Sequence, residues 1–425
     1  MLSTLRNAWA IPELRKKLIF TILVMLLYRI GNVIPVPYID VSTLSTYFNT
    51  QLSDTILGLY NVMSGSAFSQ ATVLALSIQP YINASIIIQL LTIAIPALER
   101  MSKEGGEEGK KKLNVITRCT TVGLGLLMGW AYYTMLSKSG YGIITEEGFL
   151  QALVIILTFT AGSAVVMWLG EQITEHGIGN GISMILFANI ISRFPTMGAS
   201  VVDMFTAKTW WLGILVIIGI AALVLLIIFV NDAERRIPIQ YAKRVVGRKV
   251  YGGQNTNLPI KVSMTGVMPI IFAQSIASLP ATIYAFTGMK QGWWYNNIWS
   301  AESWVYAIMY FLLIFFFSWF YATIQYDPVE ISNNLKKNGG FVPGFRPGKP
   351  TSDFIKKVIN KIVVFGAVYL GIVALLPIVA GNLVDSVKNL AIGGTSVIIV
   401  VSVALETVKA LEAQMLMRHY KGFLD

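Results

Sequence analysis

The sequence is short of the residues that carry chemistry. Its single cysteine, Cys119, excludes an internal disulfide, and it sits at the start of an apolar run, as an ordinary helix residue. The two histidines, His176 and His419, are far apart, and no Cys/His spacing resembles a metal site. Charged residues make up 13% of the chain, where soluble domains carry about 25%, so much of its surface does not face water. The nearest thing to a phosphate loop is Gly348-Lys349, but Pro350 stands where Ser or Thr is needed to hold magnesium. The run Gly177-Ile178-Gly179-Asn180-Gly181 does not complete a dinucleotide-binding spacing. No Ser, His and Asp set is suggested by proximity. Acids inside the apolar runs are few, and the clearest, Glu406, lies near the end of one. Ion-coupled carriers usually place ionisable groups near mid-membrane, so this scarcity weighs against a carrier. The expectation is a protein that is not an enzyme and needs no cofactor or metal.

What the sequence has in abundance is apolar length. Hydrophobic residues make up 55% of the chain. Ten apolar segments stand out, at about 18–36, 72–98, 114–137, 149–170, 178–194, 210–230, 264–287, 303–326, 358–380 and 391–412. Most approach the ~20 residues that cross a ~30 Å hydrocarbon core. The basic residues of the N-terminus precede an apolar run too long for a signal-peptide core, without a small-residue cleavage site, so that run reads as the first span. With the N-terminus cytoplasmic, 27 of the 33 Lys and Arg residues fall on the cytoplasmic side and five on the other. That asymmetry is the positive-inside pattern, and it places the C-terminus in the cytoplasm as well.

Two cytoplasmic connections, 231–262 and 327–357, are too long for mere turns. The first alternates apolar and basic residues around Ile237, Ile239, Tyr241, Val245, Val246 and Val250, as a projecting hairpin does. The opposing reading is that its charge only enforces topology. On the outer side, 56–70 (ILGLYNVMSGSAFSQ) is apolar but too short to span and is broken by Gly65. Such a piece is either a half-helix dipping into a cavity or an interfacial helix lying flat on the membrane. Residue physics alone leaves the two open. A large bundle with basic loops and no coupling site suggests a passive conduit driven by a partner, without saying what passes.

Several stretches carry a more specific signal. They are Arg29-Ile30-Gly31 with Ile34-Pro35-Val36-Pro37, QPYINASIIIQLL (79–91), EGGEEGKKK (104–112), WLGEQITEHGIGNGIS (168–183) and ERRIPIQYAKR (234–244). GRKVYGG (247–253), LPIKVSMTGVMPIIFA (258–273), FVPGFRPGK (341–349), GGTS (393–396) and MRHYKGF (417–423) follow in order. In these the chain resembles the SecY family, the large subunits of bacterial protein-conducting channels. The resemblance implies an all-α polytopic membrane protein of ten transmembrane helices, in two pseudo-symmetric five-helix halves, 1–195 and 196–425. It implies a plug half-helix at about 56–68 and a lateral gate toward lipid, in the bacterial inner membrane.

Carried over position by position, the family's aliphatic pore ring falls on Ile78, Ile82, Ile182, Leu186, Ile271 and Ile399. The first four form two i,i+4 pairs, each on one helix face. Its plug falls on Ile56, Leu57, Leu59, Tyr60, Val62, Met63 and Phe68. Gln89 and Gln274, on spans two and seven, are polar residues that could face the lateral gate. The implied docking surface for the motor ATPase SecA and for the ribosome carries Lys243, Arg244, Arg248, Lys249 and Arg346. Basic loops suit both partners, through phosphates of ribosomal RNA and through carboxylates of a protein. Further implied partners are SecE, SecG, signal-bearing preproteins and lipid. Two departures are visible: IPVPY where the family usually has IPVPG, and Leu186 where it usually has isoleucine. The expected function is a protein-conducting channel. The competing readings are a secondary transporter of a small solute, which needs a coupling site, and an intramembrane enzyme, which needs a nucleophile or metal set.

Overall fold

The computed structural model describes the chain except for residues 1, 53–55, 104, 147, 207–209, 242–243, 247–248, 252–254, 265, 288–297, 299–302, 384–387 and 422–425. Each of the ten apolar segments lies on a helix. In the first half these are α2 (Pro12–Gly31), α5 (Gln79–Ala94), α7 (Gly106–Lys138), α8 (Phe149–His176) and α9 (Gly181–Ile191). In the second half they are α11 (Trp210–Asp232), α12 (Met268–Thr287), α13 (Trp304–Gln325), α15 (Lys349–Leu383) and α16 (Lys388–Lys421). Shorter helices connect them: α1 (Leu2–Ala10), α3 (Val41–Tyr47), α4 (Ile56–Met63), α6 (Pro96–Lys103), α10 (Phe194–Thr206) and α14 (Pro328–Lys337).

Among the described residues, five helical stretches are long and apolar enough to cross a membrane unaided. The pair α5 and α6, bent by 106° at the break before Pro96, makes a sixth candidate. Proline cannot supply the amide that would continue the helix, and it biases the preceding Ile95 toward the extended conformation it adopts. Large apolar side chains remain exposed along α2, α11 and α13, for example Leu26, Ile218, Phe229 and Leu312. In water such a surface would aggregate; against lipid tails it is the expected outer face. The protein is a multi-pass membrane protein.

Where the sequence suggested two long loops, the structure has a packed module with some β-structure, a departure from a purely helical fold. Strand β1 (Glu234–Tyr241) pairs antiparallel with β4 (Asn255–Lys261), Ile237 facing Leu258 across the ladder. Between them β2 (Arg244–Val246) and β3 (Lys249–Tyr251) form a smaller hairpin. Ile237 and Ile239 are both buried, the period of two that a half-buried strand requires. The second connection is mostly helical. Asp327 caps α14 by accepting from the Val329 amide at 2.8 Å, with Pro328 opening the helix and Lys336 and Lys337 closing it. Residues 349–357 already belong to α15. The short strand β5 (Gly340–Phe341) adds to the free edge of β1, so both connections share one sheet in the order β4-β1-β5. Beneath it Ile237, Ile239, Ile260, Leu335, Val342 and Ile355 bury one common core.

Candidate functional site

The aliphatic positions come together. Ile78, Ile82, Leu186, Ile271 and Ile399 belong to a single buried cluster, each at most 2% exposed, with Ile182 partly buried against it. Local structure explains how each arrives. Ile78 precedes α5, whose first turn carries Pro80, so Ile82 follows one turn along. Asn180 caps α9 by accepting from the amides of Ile182 (3.0 Å) and Ser183 (3.4 Å). That start sets Ile182 and Leu186 one turn apart. Ile271 lies in the first turn of α12 and Ile399 within α16. Four helices far apart in sequence thus meet in one buried apolar cluster.

The short helix α4 is packed inward, against α9, α12 and α16. Met63 is part of the same cluster as the aliphatic positions. Leu57, Tyr60 and Phe68 lie in a second cluster with Tyr132 and Phe159, and Val62 is 2% exposed. The described side chains of α4 are therefore packed against the rest of the bundle. The helix ends at Met63, and turns carry the chain on to Phe68. The side chains of Ile56 and Leu59 lie outside the described residues.

Gln274 is 4% exposed and Gln89 half-buried. The Gln89 amide donates only to Ser85 one turn earlier, at 3.4 Å. Both side-chain oxygens are buried without a hydrogen-bond partner among the described residues. Their helices, α5 and α12, pack together.

On the module built from the two long connections Arg346 is exposed, on a loop held from several directions. The Thr351 hydroxyl donates to its carbonyl (2.7 Å), the Ser332 hydroxyl donates to the Gly348 carbonyl (2.9 Å), and Phe345 stacks on Phe354 at 4.3 Å. The guanidinium is therefore presented on rigid backbone. Lys243 and Arg248 lie outside the described residues, as do the side chains of Arg244 and Lys249, whose backbone forms the small β2–β3 hairpin.

The motifs did not point to a buried polar group around Asn189, built from Tyr28, Asn32, Ser77 and Asn189 itself. A signal was available, since polar side chains within apolar spans are costly and are kept for a reason. The same holds for the ion pairs Arg118–Glu171 (2.9 Å), between α7 and α8, and Lys409–Asp232 (2.7 Å), between α16 and α11.

A bundle of apolar helices whose aliphatic side chains meet in one buried cluster, with a short helix packed against it, defines the class as a polytopic membrane protein. Solved structures share the fold. One described as the structure of a protein conducting channel superposes with a TM-score of 0.64 at 18% identity, covering 94% of this chain and 92% of the other. A structure concerning the plug domain of the SecY protein, described as stabilising the closed state and maintaining a membrane seal, gives 0.64 at 19% identity with the same coverage. Sec61 in the canine ribosome-channel complex gives 0.60 at 17% identity, covering 94% and 92%. By sequence, the SecY family model matches residues 72–408. The protein translocase subunit SecY of Streptomyces scabiei is 42% identical, and that of Streptomyces galbus 41%, each alignment covering 100% of both chains. The chain belongs to the SecY family.

Proposed function

We propose that the chain forms the pore through which signal-bearing, unfolded polypeptides cross the membrane as part of a Sec translocase, and from which apolar segments leave sideways into lipid. The observation that carries this reading is the convergence of Ile78, Ile82, Leu186, Ile271 and Ile399 from four helices onto one buried layer, with α4 packed against it. Aliphatic side chains exclude water and ions when closed. They also offer a passing chain no fixed hydrogen bonds, so they do not hold it.

On this reading the ten helices carrying the apolar segments are the spans. Residues 1–195 and 196–425 are the two halves, α4 is the plug, and the seam between α5 and α12 is part of the lateral gate, lined by Gln89 and Gln274. Both termini are cytoplasmic, in a bacterial inner membrane. The family is one of channel subunits, so energy comes from outside: from SecA or from a translating ribosome. Arg346 and the β2–β3 hairpin with Lys243, Arg244, Arg248 and Lys249 form the docking surface, and SecE and SecG complete the complex. The ribosome-bound relative supports the ribosomal part of this reading.

The test is transport of a signal-bearing preprotein into liposomes containing this chain and its SecE partner, supplied with SecA and ATP. The expected result is protease-protected preprotein that requires SecA and ATP and falls at least tenfold with Arg346→Glu, the effect of about 1.4 kcal/mol or more at a single contact. No protected product from a complex shown to bind its partners removes the reading and favours a small-solute carrier.

A further inference from the structure

Beside the aliphatic layer, a set of polar side chains closes on the end of α4. Asn189, on α9, is fully buried. Its amide nitrogen donates to the Met63 carbonyl at 2.7 Å, to the Tyr28 hydroxyl at 2.8 Å and to the Ser77 hydroxyl at 3.3 Å. Its amide oxygen accepts from Asn32 at 3.4 Å, and the same Asn32 nitrogen reaches the Ser64 carbonyl at 3.4 Å. The Tyr28 and Ser77 hydroxyls are 3.0 Å apart. Tyr28, Asn32, Ser64 and Ser77 are each buried as well.

The next residue, Gly65, has φ of +66°, and a Cβ there would stand 2.7 Å from Arg29 Nη1 and 2.8 Å from Asn189 Oδ1. The turn is therefore left-handed and also walled in. Beyond it Phe68 stacks on Tyr132 at 4.5 Å, and the Tyr132 hydroxyl donates to the Phe68 carbonyl. Every one of these partners lies before residue 195. The body of α4, by contrast, also packs on α12 and α16, which lie after it.

The geometry points to Asn189 as a positioning residue that pins the Met63–Gly65 elbow to the N-terminal half, so that α4 leaves the pore by swinging about this elbow and not by detaching. The inference rests on reading α4 as the plug. The carbonyls at a helix end have no partner within the helix, and buried ones must find donors elsewhere. A plug that detached would strip the Met63 carbonyl of its Asn189 donor and the Ser64 carbonyl of its Asn32 donor together, in surroundings where each loss is severe. A plug that swings keeps both and gives up the contacts of the α4 body, including its packing on α12 and α16 and the hydrogen bond from the Tyr60 hydroxyl to the Leu76 carbonyl at 3.3 Å.

Resting ion conductance in planar bilayers, with the chain assembled with its partner subunits, tests this. Four variants are compared with wild type: deletion of 56–68, Asn189→Leu, Asn189→Gln, and the deletion combined with Asn189→Leu. The deletion is expected to leak. Asn189→Leu should raise the resting conductance roughly tenfold, as a shift of about 1.4 kcal/mol in the plug equilibrium does. Asn189→Gln, which keeps the amide donor, should recover much of the seal, and the combined variant should leak no more than the deletion. A leaking deletion beside a silent Asn189→Leu overturns the pinned elbow and leaves the plug standing. A combined variant leakier than the deletion also overturns it, because Asn189 then acts through the rest of the bundle. A deletion that conducts at background removes the plug and this inference together. If Asn189→Leu does not assemble, Gly65→Ala strains the same elbow from the chain side and takes its place, with the same expected leak and the same overturning result.

Discussion

Asp40 shows at the scale of one residue how a polar side chain organises a connection between helices. It caps α3, accepting from the Ser42 amide at 3.0 Å and the Ser42 hydroxyl at 2.7 Å, and from the Thr43 hydroxyl at 2.6 Å. The Thr43 hydroxyl first, then the Ser42 hydroxyl and amide, hold its carboxyl down to about 2. Its unfolded value is about 3.9, so between the two the unfolded state binds more protons. The capping contribution is therefore present in full above roughly pH 4 and is lost as pH falls through about 2. Melting scans of the purified protein between about pH 5 and pH 2 should show a flatter dependence for Asp40→Asn than for wild type; identical slopes would remove Asp40 from the acid response. At the aliphatic layer the residue scale reads differently. Ile78 or Ile399 alone is an ordinary packing residue, and on the proposed reading only its company in one buried cluster gives it a part in a seal.

At the scale of elements, the two long connections, 231–262 and 327–357, form one packed unit. The pairing of Gln240 with Phe341 and of Tyr241 with Gly340 joins them, and a common apolar core lies beneath. A motor or ribosome that pushes on the hairpin therefore also pushes on the loop carrying Arg346, and through α15 on the membrane bundle. Gly340 is the close contact in this joint: a Cβ there would stand 3.0 Å from Tyr241 Cε1 and 3.3 Å from Ile239 Cγ2. Overpacking of this kind costs about 1–3 kcal/mol. Gly340→Val should expose the 338–348 segment to limited proteolysis and lower SecA-driven transport, while resting conductance stays at the wild-type level. Unchanged proteolysis together with unchanged transport would mean that the two connections work independently.

At the scale of the whole molecule, the question is where the bundle opens. Gln89 and Gln274 leave amide oxygens buried without a partner among the described residues, on two helices that pack together. An unmet buried acceptor costs about 1–3 kcal/mol, so on the proposed reading, with both glutamines on the gate, the seam between α5 and α12 is weaker than an all-apolar one. Cysteines placed at 89 and 274, in a chain whose Cys119 is replaced by serine, should cross-link on oxidation and block preprotein transport reversibly. Failure to cross-link with either a short or a long bifunctional reagent would move the gate elsewhere.

The amino-acid sequence by itself determined that this is a membrane protein, because apolar length and the Lys/Arg asymmetry are properties of the linear chain. Its motifs likewise announced the family before any coordinate was known. The inward packing of α4 over an interfacial one was decided only by tertiary structure, because an eight-residue apolar helix suits both places. So was the fusion of two distant connections into one sheet, since β5 is two residues long and finds its partner a hundred residues away. The Asn189 group was likewise hidden: its members come from α2, α9 and the turn before α5 and lie up to 161 residues apart. A hydrogen bond between them has no period or spacing in the chain, and it exists only where the fold brings the two ends together.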